Sequence, residues 1–149
     1  MPDWTASVLL GFSAKAKLWF IVDVARYQLE AGDVRGEILR IAAEDEAHFP
    51  GRVKIELPQD PGQAGKDQIQ NLVQMLAGYV VHKAVVQGDK GVRAEPANSQ
   101  AQMQFVRYIV GDWNTAFFNE ICGFPTAAHD DMFDAFTTAF NALTAASAG

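Results

Sequence analysis

The sequence has one cysteine, Cys122, so it can form no internal disulfide and no Cys-rich zinc site. Long apolar runs are missing. Segments 18–22 and 79–81 fall far short of the roughly 20 residues that cross a bilayer. No basic stretch followed by an apolar core opens the chain, so the N-terminus, with Asp3, does not read as a signal peptide. Positive charge is scarce: 12 Lys and Arg against 18 Asp and Glu give a net charge of −6 and a pI near 4.9. That balance argues against holding nucleic acid by bulk electrostatics. It leaves room for an acidic site that works through a divalent ion, because the ion then brings the positive charge. There is no internal repeat, low-complexity tract or linker. With 49% hydrophobic and 20% charged residues over 149 positions, the chain reads as a single globular domain that needs no covalent staple. These features together read as a cytoplasmic protein.

The residues present are patterned as a mixed α/β domain. Apolar and small residues at 5–13 and β-branched and aromatic ones at 18–25, joined by a short polar loop, predict a β-hairpin. Helical spacing of Val34, Ile38, Ile41 and Ala42 predicts a helix over 33–49, stopped by Pro50 and Gly51. Alternation over 52–57 predicts a strand ending just before Pro58, and a Pro/Gly-rich loop follows. A helix over 66–77 presents Ile69, Leu72, Val73 and Leu76 on one face, with Gly78 at its end. Strands are predicted over 79–86 and 105–110. Between them, 89–104 reads as helical but interrupted at Gly91 and Pro96. A short helix over 113–121 ends at Gly123, Phe124 and Pro125. A last helix over 130–146 carries Phe133, Phe136, Phe140 and Leu143. A hairpin followed by alternating helices and strands argues for a mixed sheet flanked by helices.

The densest acidic cluster is Asp130, Asp131 and Asp134, at the start of that last helix. Spacings of three and four residues put these carboxylates on neighbouring positions of one turn, where they repel. Acids at a helix N-terminus complement its dipole, and Asp130 suits a cap. A third acid exceeds that need, and hard divalent cations want clustered carboxylate oxygens. The segment therefore reads equally as cap or as metal ligands. Glu56 stands at the predicted end of a strand, where α/β sheets place their sites. Taken alone it reads first as a solvated strand residue. Lys66 follows Gly65 at a predicted helix start, a position that can meet a phosphate, but GQAGKD lacks the P-loop spacing. Lys90 and Arg93, three apart, read singly as surface charge. His48, His82 and His129 form no metal pair, and no serine lies in a G-x-S-x-G context.

Residues 111–143, GDWNTAFFNEICGFPTAAHDDMFDAFTTAFNAL, resemble the end of the large terminase subunit of tailed bacteriophages. That family closes its C-terminal nuclease domain with Trp-Asn, a Glu-Leu-like pair, Phe-Pro, then His-Asp-Asp and Asp-Ala on a helix. GDKGVRAEP at 88–96, IELPQDPGQAGK at 55–66 and DWTASVLL at 3–10 resemble earlier segments of the family, so the likeness covers nearly the whole chain. The resemblance implies an RNase H-like fold holding two divalent cations, Mg2+ or Mn2+. By it, Glu56, Asp131 and Asp134 carry over as catalytic metal ligands, with Asp130 as a further ligand. Lys66, Lys90 and Arg93 then lie toward the DNA. The family's first strand and its aspartate precede the D-x-T-A segment, so the resemblance also implies a domain lacking that central strand, with no ATPase motor. Its absence requires the hairpin and later strands to rearrange, or another chain to fill the gap.

The expected function is therefore that of a metal-dependent endonuclease domain of a packaging terminase, acting on double-stranded DNA in the host cytoplasm and encoded by phage or prophage. Other terminase or portal components are expected partners, and no membrane is. The alternative is a catalytically incomplete terminase fragment that binds DNA or packaging components without cutting. An RNase H-like resolvase outside packaging fits the Trp-Asn and Phe-Pro segments less well.

Overall fold

The computed structural model describes residues 2–85, 88–124 and 129–148. Within them the chain forms β1 (Trp4–Ser13), β2 (Leu18–Gln28), α1 (Ala31–His48), β3 (Lys54–Gln59), α2 (Gln63–Met75), β4 (Val80–Val85), α3 (Lys90–Gln102), β5 (Val106–Tyr108), α4 (Asn114–Gly123) and α5 (Asp131–Ala148). The architecture is the mixed α/β one expected: a mixed sheet flanked by helices, as in an RNase H-like domain. Val86 and Pro125, which the sequence puts at the end of a strand and of a helix, lie outside the described residues.

The described residues fall into two compact units. The first joins residues 3–28 to everything from residue 88 onward. Its sheet has the order β1-β2-β5, antiparallel between β1 and β2 and parallel between β2 and β5. The hairpin register slips between Leu9 and Leu10, where β2 carries one extra residue, Val22. Lys17 takes a left-handed conformation (φ 57°) to close the turn, and the Ala16 N–H donates to Ser13 Oγ at 3.1 Å. The β5 segment is held from both ends: the Trp19 N–H donates to the Phe105 carbonyl and the Ile109 N–H to the Ile21 carbonyl.

α5 forms the floor of this unit. Alanines spaced along it favour the helix, and Met132, Phe133, Phe136, Thr137 and Phe140 fall on one buried face. That face meets Trp19, Ile21 and Val24 of β2, Ala94 and Ala97 of α3, and Phe117 of α4. Trp19 and Phe140 lie with ring centroids 4.3 Å apart. α3 is continuous, contrary to the interruption expected at Gly91 and Pro96. Pro96 lies on its exposed side, and the small residues Ala94 and Ala97 let α3 close on its neighbours. The Asp89 carboxylate caps the first turn by accepting the Gly91 N–H at 2.7 Å. Asn141 of α5 donates to the Arg93 carbonyl at 3.1 Å. Cap and docking offset the cost of about 3 kcal/mol that a proline carries inside a helix.

The second unit comprises residues 29–85, with β3 and β4 paired in parallel and Ala42, Leu57, Ile69 and Leu76 buried together. β3 runs through Pro58 to Gln59 rather than stopping before it, so Glu56 is a mid-strand residue and not a strand end. Among the described residues β3 pairs only with β4, and an edge strand tolerates a residue without an N–H. Gly65 packs directly against the Asp60 backbone carbonyl, leaving no room for a Cβ.

Two stability outcomes follow. Phe140→Ala opens a cavity in a fully enclosed site and lowers unfolding free energy by about 3–5 kcal/mol in urea denaturation, whereas Val110→Ser on the surface changes it by less than about 0.5 kcal/mol. Gly65→Ala forces a Cβ onto the Asp60 carbonyl and costs about 1–3 kcal/mol in the same assay.

Candidate functional site

The acids singled out in the sequence stand at the start of α5, and a side chain from α3 meets two of them. Lys90 Nζ lies 2.8 Å from Asp130 Oδ2 and 3.0 Å from Asp134 Oδ2. The pairing follows from local helix geometry: residues four apart on α5 present their carboxylates side by side, and the Asp134 N–H bonds to the Asp130 carbonyl at 2.8 Å. Lys90, in the first turn of α3, is delivered to them because α3 docks on α5.

Behind this turn lies a buried carboxylate. Glu120 of α4 has a side chain only 3% exposed, and its Oε2 accepts the Phe133 N–H at 2.7 Å. The carboxylate thus caps α5 from another helix, taking up one of the N–H groups a helix start leaves unpaired. Its Oε1 makes no hydrogen bond among the described residues and faces Arg26 Nη1 at 3.7 Å. The Arg26 guanidinium sits over the Trp4 ring, 4.5 Å from its centroid, and Trp4 meets His129 edge-on at 6.2 Å.

The electrostatics record what this arrangement costs. Burial pushes the Glu120 carboxyl above its ordinary value, against the pull of the Phe133 N–H and Arg26, and the nearby charge of Asp131 adds to the rise. Hydrogen bonds to Asp130 and then to Asp134 raise Lys90. Asp134 is nonetheless raised as well: its desolvation and the like charge of Asp130 outweigh the attraction of Lys90. The two shifts describe one contact from either side. The ammonium gains from two carboxylates, while each carboxylate must share one ammonium.

The structure gathers Asp130, Asp134 and Lys90 at one point. Asp131 lies on the same turn, and its charge acts on Glu120. Arg93, one turn along α3 from Lys90, is half-buried; its charge stabilises the Asp134 carboxylate, and its Nε is buried without a hydrogen bond among the described residues. Glu56 and Lys66 belong to the other unit. Glu56 stands opposite His82 across the β3–β4 pair, with Oε2 and Nδ1 3.8 Å apart, and Lys66 is exposed on α2. Lys66 also lies inside α2, which begins at Gln63, rather than at its start. Among the described residues no three His, Cys, Asp or Glu side chains converge as a metal cage. Two carboxylates that already share a cation do fit magnesium, which keeps several waters and is commonly held by one or two carboxylates plus phosphate oxygens. The residue that sequence reasoning passed over is Glu120. Its signal was an acid set among Phe117, Phe118 and Ile121.

The raised Glu120 carboxyl makes a pH prediction. A carboxyl whose folded pKa lies above its unfolded value contributes stability at low pH that is lost as pH rises through the folded pKa. In metal-free buffer Glu120→Gln lacks that loss. Its melting temperature relative to the parent therefore shifts upward between pH 4.5, the group's ordinary value, and neutrality. Differential scanning fluorimetry across that range reads the shift.

A family model described as the terminase RNaseH-like domain matches residues 2–143. No curated protein and no solved structure matches the chain significantly. No helix among the described residues is long and apolar enough to cross a membrane. The match spans nearly the whole chain, both units and the acidic turn of α5 included, and the chain belongs to the terminase RNaseH-like domain family.

Proposed function

We propose that this phage terminase nuclease-type domain is a divalent-metal-dependent endonuclease that hydrolyses phosphodiester bonds of double-stranded DNA, with Asp130 and Asp134 holding the ion. The observation that carries this reading is the Lys90 ammonium, bound at 2.8 and 3.0 Å by the oxygens of two carboxylates that repel each other without it. Those oxygens are aimed at a single cation. A magnesium or manganese ion bound there supplies polarisation of the phosphate and a lowered pKa for water. The protein's part is to hold both carboxylates adjacent. Asp131, on the same turn, adds negative charge that draws the ion in. Lys90 is placed to meet negative charge as it develops on the phosphate, and the charge of Arg93 pulls against the rise that burial imposes on the Asp134 carboxyl. A net charge of −6 means that DNA contact relies on such local cations rather than on the surface as a whole.

The resemblance also implies Asp131 and the strand acid Glu56 as ligands of a two-metal form; Asp131 shares the turn of Asp130 and Asp134, and Glu56 belongs to the other unit. A second reading, a module that binds DNA or packaging components without cutting, is favoured by Lys90 itself, whose ammonium already occupies the oxygens of Asp130 and Asp134.

The test is nicking of supercoiled plasmid in manganese. The parent is expected to nick, and Asp130→Ala/Asp134→Ala to lose roughly 100-fold or more in rate. Glu56→Ala in parallel reads the contribution of the strand acid. A parent that retards the plasmid on a gel and never nicks it overturns the nuclease reading in favour of the binding module.

A further inference from the structure

We propose that Glu120 is the positioning residue of the site: through its bond to the Phe133 N–H it sets the first turn of α5, and so the spacing of Asp130 and Asp134. The inference rests on the reading of those two acids as ion ligands and adds a residue that is not itself a ligand.

Three observations carry it. The first is burial. A carboxylate 3% exposed is costly to keep, and packing alone would be served by an apolar side chain of similar size. The second is connectivity. Glu120 lies on α4 and its acceptor bond ends at Phe133, between the ligand candidates Asp131 and Asp134, so it fixes the turn from a separate helix. A cap supplied from within a turn moves with the turn; one supplied from a neighbour resists its movement. The third is compensation. Arg26 stands 3.7 Å from the oxygen that Phe133 does not use, and it is itself stacked on Trp4. The buried charge is thus countered by a guanidinium fixed to the hairpin. The Glu120 carboxylate is occupied on both sides by this chain, by a backbone N–H and by a cation, which is the arrangement of a group that orients others.

The inference makes the acceptor geometry decisive and not the charge. Glu120→Gln keeps an acceptor oxygen at the same reach and removes the charge. Glu120→Asp keeps the charge and withdraws it by one methylene from the Phe133 N–H. The experiment measures Mn2+ affinity of the parent and both variants from the electron paramagnetic resonance of free ion. It also follows hydrogen exchange of the Phe133 and Asp134 amides by NMR in metal-free protein. Glu120→Gln is expected to bind Mn2+ within about twofold of the parent with unchanged exchange. Glu120→Asp is expected to bind roughly tenfold or more weakly and to exchange faster at both amides. Phe140→Ala, destabilised two turns away, is the control, and its folded form keeps the parent's affinity. Parent-like affinity in Glu120→Asp, or a tenfold loss in Glu120→Gln, overturns the inference while leaving the ligand assignment intact. Equal losses in Glu120→Asp and Phe140→Ala overturn it too. If Glu120→Asp does not fold, Glu120→Ala, which removes the acceptor altogether, takes its place under the same limits. A parent that binds no Mn2+, or an Asp130→Ala/Asp134→Ala protein that binds it equally, instead removes the proposed function on which the inference stands.

Discussion

Burial of the aromatic face of α5 is the constraint on which the rest of the first unit depends. Met132, Phe133, Phe136 and Phe140 can be enclosed together only at one rotation of the helix about its axis. Each large aromatic removes about 150–250 Å² from water, so a rotation that exposed them would cost several kcal/mol. With the rotation set, Asp130 and Asp134 have no choice of direction. They emerge where α3 brings Lys90, and the Phe133 N–H turns toward α4. The charged features of the site are thus by-products of an apolar packing decision. This explains how a turn crowded with acids persists: the core, not the electrostatics, holds it there.

The electrostatics then adjust to what packing imposes. Exposed pairs contribute about 0.2–1 kcal/mol, and Lys90 is half-exposed, so its two contacts relieve repulsion more than they add stability. The Glu120 carboxylate is the opposite case. It is enclosed, raised by desolvation, and tolerable only with its N–H partner and Arg26 in place. A site assembled this way is electrostatically stressed. Two like charges are adjacent at its mouth, and a third lies underneath. That stress is of the sign a cation relieves.

Much of this was legible in the chain. The ten elements of the described residues match the expected ones to within a few residues at their ends, most clearly where a buried face repeats with its own period, as in α5. Proline was over-read. Pro58 and Pro96 look like stops when only neighbouring residues are considered, yet an edge strand and a well-docked helix absorb them. The consequence reached the site, since reading Pro58 as a stop put Glu56 at a strand end. The acids at the start of α5 are legible because they fall within five positions of one another. The meeting of Lys90 with Asp130, across 40 positions, has no counterpart in any spacing rule. Glu120 was missed for a related reason: an acid within an amphipathic helix reads as its solvent face, and only the docking of α4 on α5 encloses it. The strands also fall into two sheets among the described residues, a division that strand patterns do not reveal.

The order in which the chain leaves the ribosome meets an awkward topology here. β1 and β2 are made before residues 29–85, but the strand that flanks β2, the helices that cover it and the aromatic row that fills its core are all encoded after residue 88. A lone hairpin is marginal in water, so this one must wait through the synthesis of the whole second unit before its partners exist. Residues 29–85 suffer no such delay, because their strands, helices and apolar cluster are contiguous. Nascent-chain folding therefore runs out of sequence, with residues 29–85 settling before the segments on either side of them close on each other, in a slow step governed by long-range pairing. During that interval β1, ten residues without a single charge, is the segment most in need of protection from other chains.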